Sequence, residues 1–497
     1  MIFATLRRCL GLSLLCLALG TSRLASRLLR PSRRRLKRLS GHQQTRLSGL
    51  QARLLNWQTQ LQPQDIDKLT GVGTRQSALR ELERLIAHNQ PFTLIRLSIN
   101  NIKQINDTLG RAIGDQLLVA LARRLMRLEF HRGRLYRLGG DEFVMLVMPP
   151  IAREHLADRL RGRLCQPLEL QGTTLIPSIS ISDLHYPEHG QEPLRLLRRS
   201  GIALTLARRT GDGYHGYQSG LDQRYDRERI MLRDLVTAVR GQQLQVVYQP
   251  KIRIADGRVE GFEALLQWQH PSLGLLQPDE FLPLATQSGH MPLLGDWMLE
   301  HVILQMAKWQ NLGRPQHVAV NLSATDLEDV HLARRLIGWL HEYDVDQRLL
   351  MLEVTEQTVM RDPALAAHQL GELREQGCQV AIDDFGTGYS SLAQLRCLPL
   401  DVLKIDKSFV IDLPHQPEDA LIVDASIDLA HKFGLEVIAE GVETPRHLTL
   451  LAEAGCDQAQ GFLISRALCA ERVIAWLDDY HAHPLAASDR PTGTLGG

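Results

Sequence analysis

The chain has 497 residues, of which 23% are charged and 44% hydrophobic, and its formal net charge is +1. That length sets two to four domains of roughly 100–200 residues each, and the globular balance excludes wholesale disorder, collagen-like repetition and a multi-span membrane protein. Cys9, Cys16, Cys165, Cys378, Cys397, Cys456 and Cys469 are an odd set without a Cys-x-x-Cys pair, which argues against a disulfide framework and against a zinc site.

The near-neutral sum hides an asymmetry. Residues 1–60 hold 12 Lys and Arg and no acid, leaving 45 of the 57 basic residues against all 56 acidic ones. Between Arg8 and Arg23 lie 14 uncharged residues, roughly 21 Å of helix at ~1.5 Å per residue against a bilayer core of about 30 Å. Arg23, Arg27, Arg30, Arg33, Arg34, Arg35, Lys37 and Arg38 follow. The leader 1–63 therefore reads in two ways: an inner-membrane contact through residues 1–30 that keeps the body cytoplasmic by the positive-inside bias, or a solvated basic helix. A cleaved signal fits badly, because the positive cluster would have to be exported. Leu47, Leu50, Leu54, Trp57 and Leu61 repeat at 3-4-3-4 spacing, as a two-heptad coiled-coil seam or as the apolar face of a helix lying on its own domain. The leader's basic residues lack interleaved aromatics, and nothing points to nucleic acid as a partner.

From 64 to 220 the pattern is that of an α+β domain. Thr93–Ile99 reads as a strand, Asp115–Leu128 as a helix, and Arg134–Met148 as two strands joined at Gly139-Gly140. Glycines at such a turn let backbone approach a phosphate. The pair Asp141 and Glu142 stands directly after them, where Mg²⁺ on a nucleotide triphosphate would need oxygen ligands. Around the turn stand Leu-Thr-Gly at 69–71, Lys-Gln-Ile-Asn-Asp-Thr at 103–108, Gly-Asp-Gln-Leu-Leu at 114–118 and Arg-Leu-Gly-Gly-Asp-Glu-Phe at 137–143.

Together these segments resemble the diguanylate cyclase (GGDEF) family, whose domain is similar in fold to nucleotide cyclases and condenses two GTP into cyclic di-GMP. The resemblance implies that Asn106 and Asp115 hold a guanine. It also exposes departures: Ser98 and Asn100 stand where the family carries aspartates, Asp212 replaces a basic residue, and Phe130 and Gly133 replace the product-inhibition site. A serine hydroxyl is a poor ligand for a hard dication. The expectation is a degenerate GTP site (Asn106, Asp115, Asp141, Glu142) that makes no cyclic di-GMP and keeps GTP as a regulatory ligand, or else serves as a purely structural module.

A helix over Asp222–Gln242 leads into a second domain, 221–485, and residues 486–497 read as a disordered tail. In this domain short apolar runs alternate with helical stretches: Val246–Gln249, Val259–Leu265, Val318–Leu322, Leu349–Val354, Gln379–Asp384, Val402–Asp406, Glu436–Glu440 and Ala459–Ile464. Such alternation predicts a (β/α)₈ TIM-type barrel with its polar groups gathered at one mouth. Those groups are Gln249, Glu263, Asn321, Glu353, Asp383, Asp384, Lys404, Glu440 and Gln460. So many carboxylates, without Cys or His, call for Mg²⁺ or Mn²⁺.

The segments Glu263-Ala264-Leu265, Asn321-Leu322-Ser323, Glu353-Val354-Thr355-Glu356, Asp383-Asp384-Phe385-Gly386-Thr387-Gly388, Leu403-Lys404-Ile405-Asp406 and Glu440-Gly441-Val442-Glu443 resemble the EAL-domain phosphodiesterases. The resemblance implies hydrolysis of cyclic di-GMP to pGpG with two Mg²⁺ or Mn²⁺ ions, by a homodimer. Glu263, Asn321, Glu353 and Asp383 would hold one ion, and Asp383, Asp384 and Glu440 the second ion and the water. Lys404 would orient that water or offset charge, and Gln249, Gln460 and Asn321 would meet the substrate. Glu356 and Glu443, with the loop from Asp384 to Ser391, would set loop geometry and the dimer surface. Gln267 stands where the family carries a substrate-binding Arg, so a charge-assisted phosphate contact of roughly 1.5–3 kcal/mol is lost. That loss leaves open a second reading, a receptor that binds cyclic di-GMP without cleaving it.

Overall fold

The computed structural model describes residues 63–128, 133–151, 156–386 and 396–482. The apolar leader segment and its proposed coiled coil, Phe130, most of the 384–391 loop and the tail lie outside the described residues. Among the described residues no helix is long and apolar enough to cross a membrane. Two compact bodies divide between Tyr225 and Asp226, inside the helix Leu221–Arg240.

The first body is a six-stranded sheet in the order Gly73–Thr74, Arg134–Gly139, Glu142–Val147, Phe92–Ile99, Ile179–Tyr186, Tyr214–Gly216. Period-2 alternation in the central strand explains its burial on both sides. Ile95, Leu97 and Ile99 pack with Leu117 and Leu121 on one face, while Phe92 and Leu94 pack with Leu82, Leu196 and Ala203 on the other. The acidic hairpin is antiparallel, with Arg137 opposite Phe143 and a register shift before Gly139. Gly139 and Gly140 at the turn have φ of +134° and +55°, values that favour glycine.

The second body is a barrel closed by eight strands, and it differs from the expected repeat at its first strand. Leu244–Arg253 runs antiparallel to both neighbours, Val259–His270 and Gln458–Gln460. Only the residues from 254 to 258 separate it from the next strand, far fewer than the dozen or more a parallel crossover needs. A tight turn at Asp256-Gly257, with Gly257 at φ +74°, reverses the chain instead. The other seven strands are parallel in sequence order from Val259–His270 through Val318–Asn321, Leu350–Thr355, Gln379–Phe385, Val402–Ile405 and Glu436–Ala439 to Gln458–Gln460. Two short strands, Gly274–Leu276 and Leu468–Cys469, add to the sheet outside the ring. Inside the barrel Ala319, Met351, Ala381, Val402 and Ile438 form a small apolar layer of their own.

Candidate active site

The ends of the parallel strands place the acidic residues together. Glu263, Glu353 and Asp383 are buried, and each offers an oxygen such that the three lie within 4.8 Å of one another. Lys404, fully buried, stands in their midst: its Nζ is 2.7 Å from Glu353 Oε2, 3.1 Å from Asp383 Oδ2, 2.7 Å from Glu440 Oε1 and 3.7 Å from Glu263 Oε2. Neighbouring strands carry the amides. Asn321 Nδ2 donates to Glu263 Oε1 at 2.8 Å, and Gln460 Nε2 donates to Glu263 Oε2 at 2.6 Å. Gln460 also reaches Gln249 Oε1 at 3.1 Å, while Gln249 Nε2 donates to the Ser465 carbonyl at 3.2 Å. Gln249 comes to this mouth from the middle of the reversed strand, where its Cα partner is Glu263.

Consecutive residues on a flat strand point to opposite faces, so Asp383 and Asp384 need a local break to serve one site. The strand breaks there: its pairing shifts between Ile382 and Phe385, and Asp384 sits at φ +53° with its side chain hydrogen-bonded to Asp406. Asp383 Oδ1 accepts the Asp384 N–H at 2.9 Å, and such a bulge re-aims a side chain. Glu356 Oε1 accepts the Gly386 N–H at 3.3 Å from the loop that follows. Glu443 is exposed, and its backbone N–H donates to His447 Nδ1 at 3.2 Å. The segments that follow Glu440 and Gln460 meet at a glycine. The Val442 N–H donates to the Gln460 carbonyl at 3.0 Å, and a Cβ on Gly461 would come within 2.1 Å of the Val442 carbonyl oxygen.

Electrostatics separate the carboxyls. Burial, together with neighbouring acids, raises Glu353 to about 7 and Asp384 to about 6, and it raises Glu440 as well. Burial also pushes Glu263 upward, but Lys404, Gln460, Lys251 and Asn321 outweigh it and hold that carboxyl below its ordinary value. Burial would lower Lys404, yet the surrounding Glu263, Glu353, Glu440 and Asp383 hold its ammonium well above the usual value. A second buried lysine, Lys251, belongs to the same layer, with Nζ 3.6 Å from Glu353 Oε1. Burial lowers it, opposed first by Glu353. Sequence reasoning passed over Lys251, although its place two residues after Gln249 was a signal that both face the barrel interior.

Divalent cations fit this donor set. The donor atoms are all oxygens, Glu353 Oε1 is buried without a hydrogen-bond partner, and the four carboxyls of Glu263, Glu353, Asp383 and Glu440 outnumber the two lysines, Lys251 and Lys404, that lie among them. Hard, oxygen-seeking ions such as Mg²⁺ or Mn²⁺ match that excess. Gln267 lies beyond the last pair its strand makes with Val318–Asn321, Ala264 with Val320. Its Oε1 accepts from Gln245 Nε2 at 3.0 Å, and its own Nε2 donates to Gln277 Oε1 at 3.4 Å.

In the first body the acidic pair is taken up by arginines. Ser98 Oγ and Arg208 both contact Asp141, and Arg208 is also 3.4 Å from Glu142 Oε1. Arg96 pairs with Glu142 Oε2, and it is anchored at its other nitrogen by the Leu197 carbonyl at 2.8 Å. Neither arginine was singled out from sequence. Arg96 and Ser98 alternate onto the face covered by the helix Pro193–Arg209, which carries Arg208. Asn106 Oδ1 is buried without a hydrogen-bond partner, and Asp115 is exposed on the helix Arg111–Met126. The His185 N–H donates to His189 Nδ1 at 2.8 Å.

The chain thus carries a six-stranded α/β sheet followed in sequence by a barrel with acidic residues and a lysine at its strand ends. Residues 232–467 match the EAL domain family, and residues 64–213 match the family "Diguanylate cyclase, GGDEF domain". The chain is 36% identical over 398 residues to "Bifunctional diguanylate cyclase/cyclic di-GMP phosphodiesterase MucR" of Pseudomonas aeruginosa, covering 79% of this chain and 58% of that protein. It is 37% identical over 412 residues to "Cyclic di-GMP phosphodiesterase NbdA" of the same organism, covering 81% and 52%. An "Uncharacterized protein" of Mycobacterium tuberculosis is 34% identical over 415 residues, covering 82% and 67%. Among solved structures, "PaMucR Phosphodiesterase, c-di-GMP complex" is 41% identical, covers 49% of this chain and 99% of that chain, and has a TM-score of 0.48. The chain thus spans little more than half the length of its two Pseudomonas relatives. It belongs to the family of tandem GGDEF–EAL proteins.

Proposed function

We propose that the barrel hydrolyses cyclic di-GMP to pGpG and that the first domain makes no cyclic di-GMP. The observation that carries the first part is the buried triad Glu263, Glu353 and Asp383 around Lys404, with oxygen ligands within 4.8 Å of one another. Glu263, Asn321, Glu353 and Asp383 would hold one cation, and Asp383, Asp384 and Glu440 a second. When bound, the two cations neutralise the phosphodiester and lower the pKa of water.

The protein's own groups then divide the work. Glu440, whose carboxyl burial raises, is suited to accept a proton from the attacking water near neutral pH. Lys404 offsets the charge that grows on the phosphate oxygens as the phosphodiester bond breaks. Gln249, Gln460 and Asn321 orient the substrate through their amides. Glu356, bonded to the Gly386 N–H, holds the loop that follows Asp384. The body is proposed to work in the cytoplasm as a homodimer, with residues 1–30 as the inner-membrane contact.

Arg96 and Arg208 on Asp141 and Glu142 support the silent first domain, because guanidinium groups stand where divalent cations would need those carboxylates. GTP as a regulatory ligand rests on Asn106 and Asp115, the positions that the family resemblance assigns to the guanine. A second reading, binding without cleavage, rests on Gln267, a neutral amide engaged by Gln245 and Gln277. One experiment separates the two readings: the purified chain is incubated with cyclic di-GMP and Mn²⁺, with and without GTP, alongside Glu263→Ala. Release of pGpG that Glu263→Ala abolishes is the expected result. Binding without release establishes the receptor.

A further inference from the structure

Lys251 has no part in the mechanism above, yet it is 4% exposed and lies in the metal-ligand layer. The reversal of the first barrel strand puts it there. On that strand Gln249 and Lys251 share a face, and because the strand runs opposite to its neighbours, the later residue lies deeper in the barrel. Its Cα partners are Gly261 on one side and Gln460 on the other.

From that depth Nζ stands 3.6 Å from Glu353 Oε1, the oxygen that has no hydrogen-bond partner, and 3.7 Å from Met351 Sδ. Met351 belongs to the apolar layer with Ala319, Ala381, Val402 and Ile438. Lys404 engages the other oxygen, Glu353 Oε2, at 2.7 Å. Glu353 is therefore held between two lysine side chains, one at each carboxylate oxygen. A purely apolar floor would leave a buried layer of carboxylates with one counter-ion, a costly arrangement.

We propose that Lys251 is the built-in counter-ion of the metal site: a positioning residue that carries charge for the carboxylate layer when cations are absent, and that limits how tightly they are held when present. The inference rests on the two-cation reading of the barrel. Its sign follows from linkage. Removing an ammonium group destabilises the cation-free layer and relieves repulsion of the incoming dication, and both effects tighten cation binding.

The test uses the full chain with Lys251→Met and Lys251→Gln. Mn²⁺ affinity is measured by calorimetry, and thermal unfolding is followed in EDTA and in excess Mn²⁺. Both variants are expected to bind Mn²⁺ roughly tenfold or more tightly. Their Tm should fall in EDTA and recover most of the loss in Mn²⁺. A variant that folds only in Mn²⁺ also supports the proposal. Unchanged or weaker Mn²⁺ affinity, an equal Tm loss with and without Mn²⁺, or failure of both variants to fold even in Mn²⁺ makes Lys251 a packing residue and overturns it. If the unaltered chain itself binds no Mn²⁺, the two-cation reading fails, and this inference fails with it.

Discussion

Lys404 and Glu353 meet at 2.7 Å with both side chains wholly buried, each on its own barrel strand and each with further charged partners in the same layer. An ammonium group without carboxylates would be strongly disfavoured there, and so would the carboxylates without it. Removing one partner of a buried ion pair costs about 3–5 kcal/mol, because the other charge is left unpaired. Lys404→Met should therefore lower barrel stability by about that amount in EDTA. It should also cut pGpG release by about 100-fold or more, as loss of a charge-stabilising group does. Urea unfolding and product chromatography check the two effects separately. A stable, fully active variant would remove Lys404 from the chemistry.

Glu353→Gln keeps the shape of the side chain and removes its charge. Loss of this carboxylate from the layer should reduce activity by about 100-fold or more, while cyclic di-GMP binding changes much less. Chelation of the unaltered protein should abolish hydrolysis, and added Mn²⁺ should restore it. Activity that persists in excess chelator would contradict a role for cations.

Gly461 lies against the Val442 carbonyl, where a Cβ would come within 2.1 Å. Gly461→Ala should push apart the segments bearing Gln460 and Glu440. The expected cost is about 1–3 kcal/mol, as for other overpacked positions, accompanied by a fall in kcat. The comparison with Gly338→Ala is informative, because a Cβ there meets no atom within 4 Å; that variant should keep its activity.

In the first domain Asp222 accepts from Tyr217 Oη at 2.7 Å and from Arg199 at 3.0 and 3.1 Å. Burial pushes its carboxyl upward, but these partners outweigh it and hold the pKa below the ordinary value. A depressed folded-state pKa contributes stability above the unfolded-state value, and that contribution is lost as pH falls through the folded-state value. Asp222→Asn should cost about 2 kcal/mol at pH 7, in the range for hydrogen bonds to a charged group. The gap to the unaltered protein should close as pH falls below about 4. Urea titrations at several pH values would show it, and a gap independent of pH would be evidence against the ionic pairing.

Ser98→Asp supplies the carboxylate missing from the cyclase-like site, yet Arg96 and Arg208 already engage Asp141 and Glu142. The substitution by itself should give no cyclic di-GMP from GTP, with Glu263→Ala in the background to prevent product loss. Product formation in that assay would show that the arginines yield to cations, and product from the chain with Ser98 intact would overturn the silent reading.

The acidic residues of the barrel and their order along it were legible in the sequence. Each ends or closely follows a short apolar run, and one face per run suffices to predict a common mouth. The Ser98 departure was equally plain, because a hydroxyl in place of a carboxylate is a matter of residue type. What fills the gap was not: Arg208 reaches Asp141 across 67 positions, and strand periodicity says which face a side chain takes but not which distant helix covers it. The same limit hid the depth of Lys251. Residue chemistry and local period determined the acidic set of the barrel mouth, whereas the turn at Asp256-Gly257, too short for a parallel return, reversed the first strand. That reversal placed a second lysine beside Glu353, a consequence of packing eight strands into one closed ring.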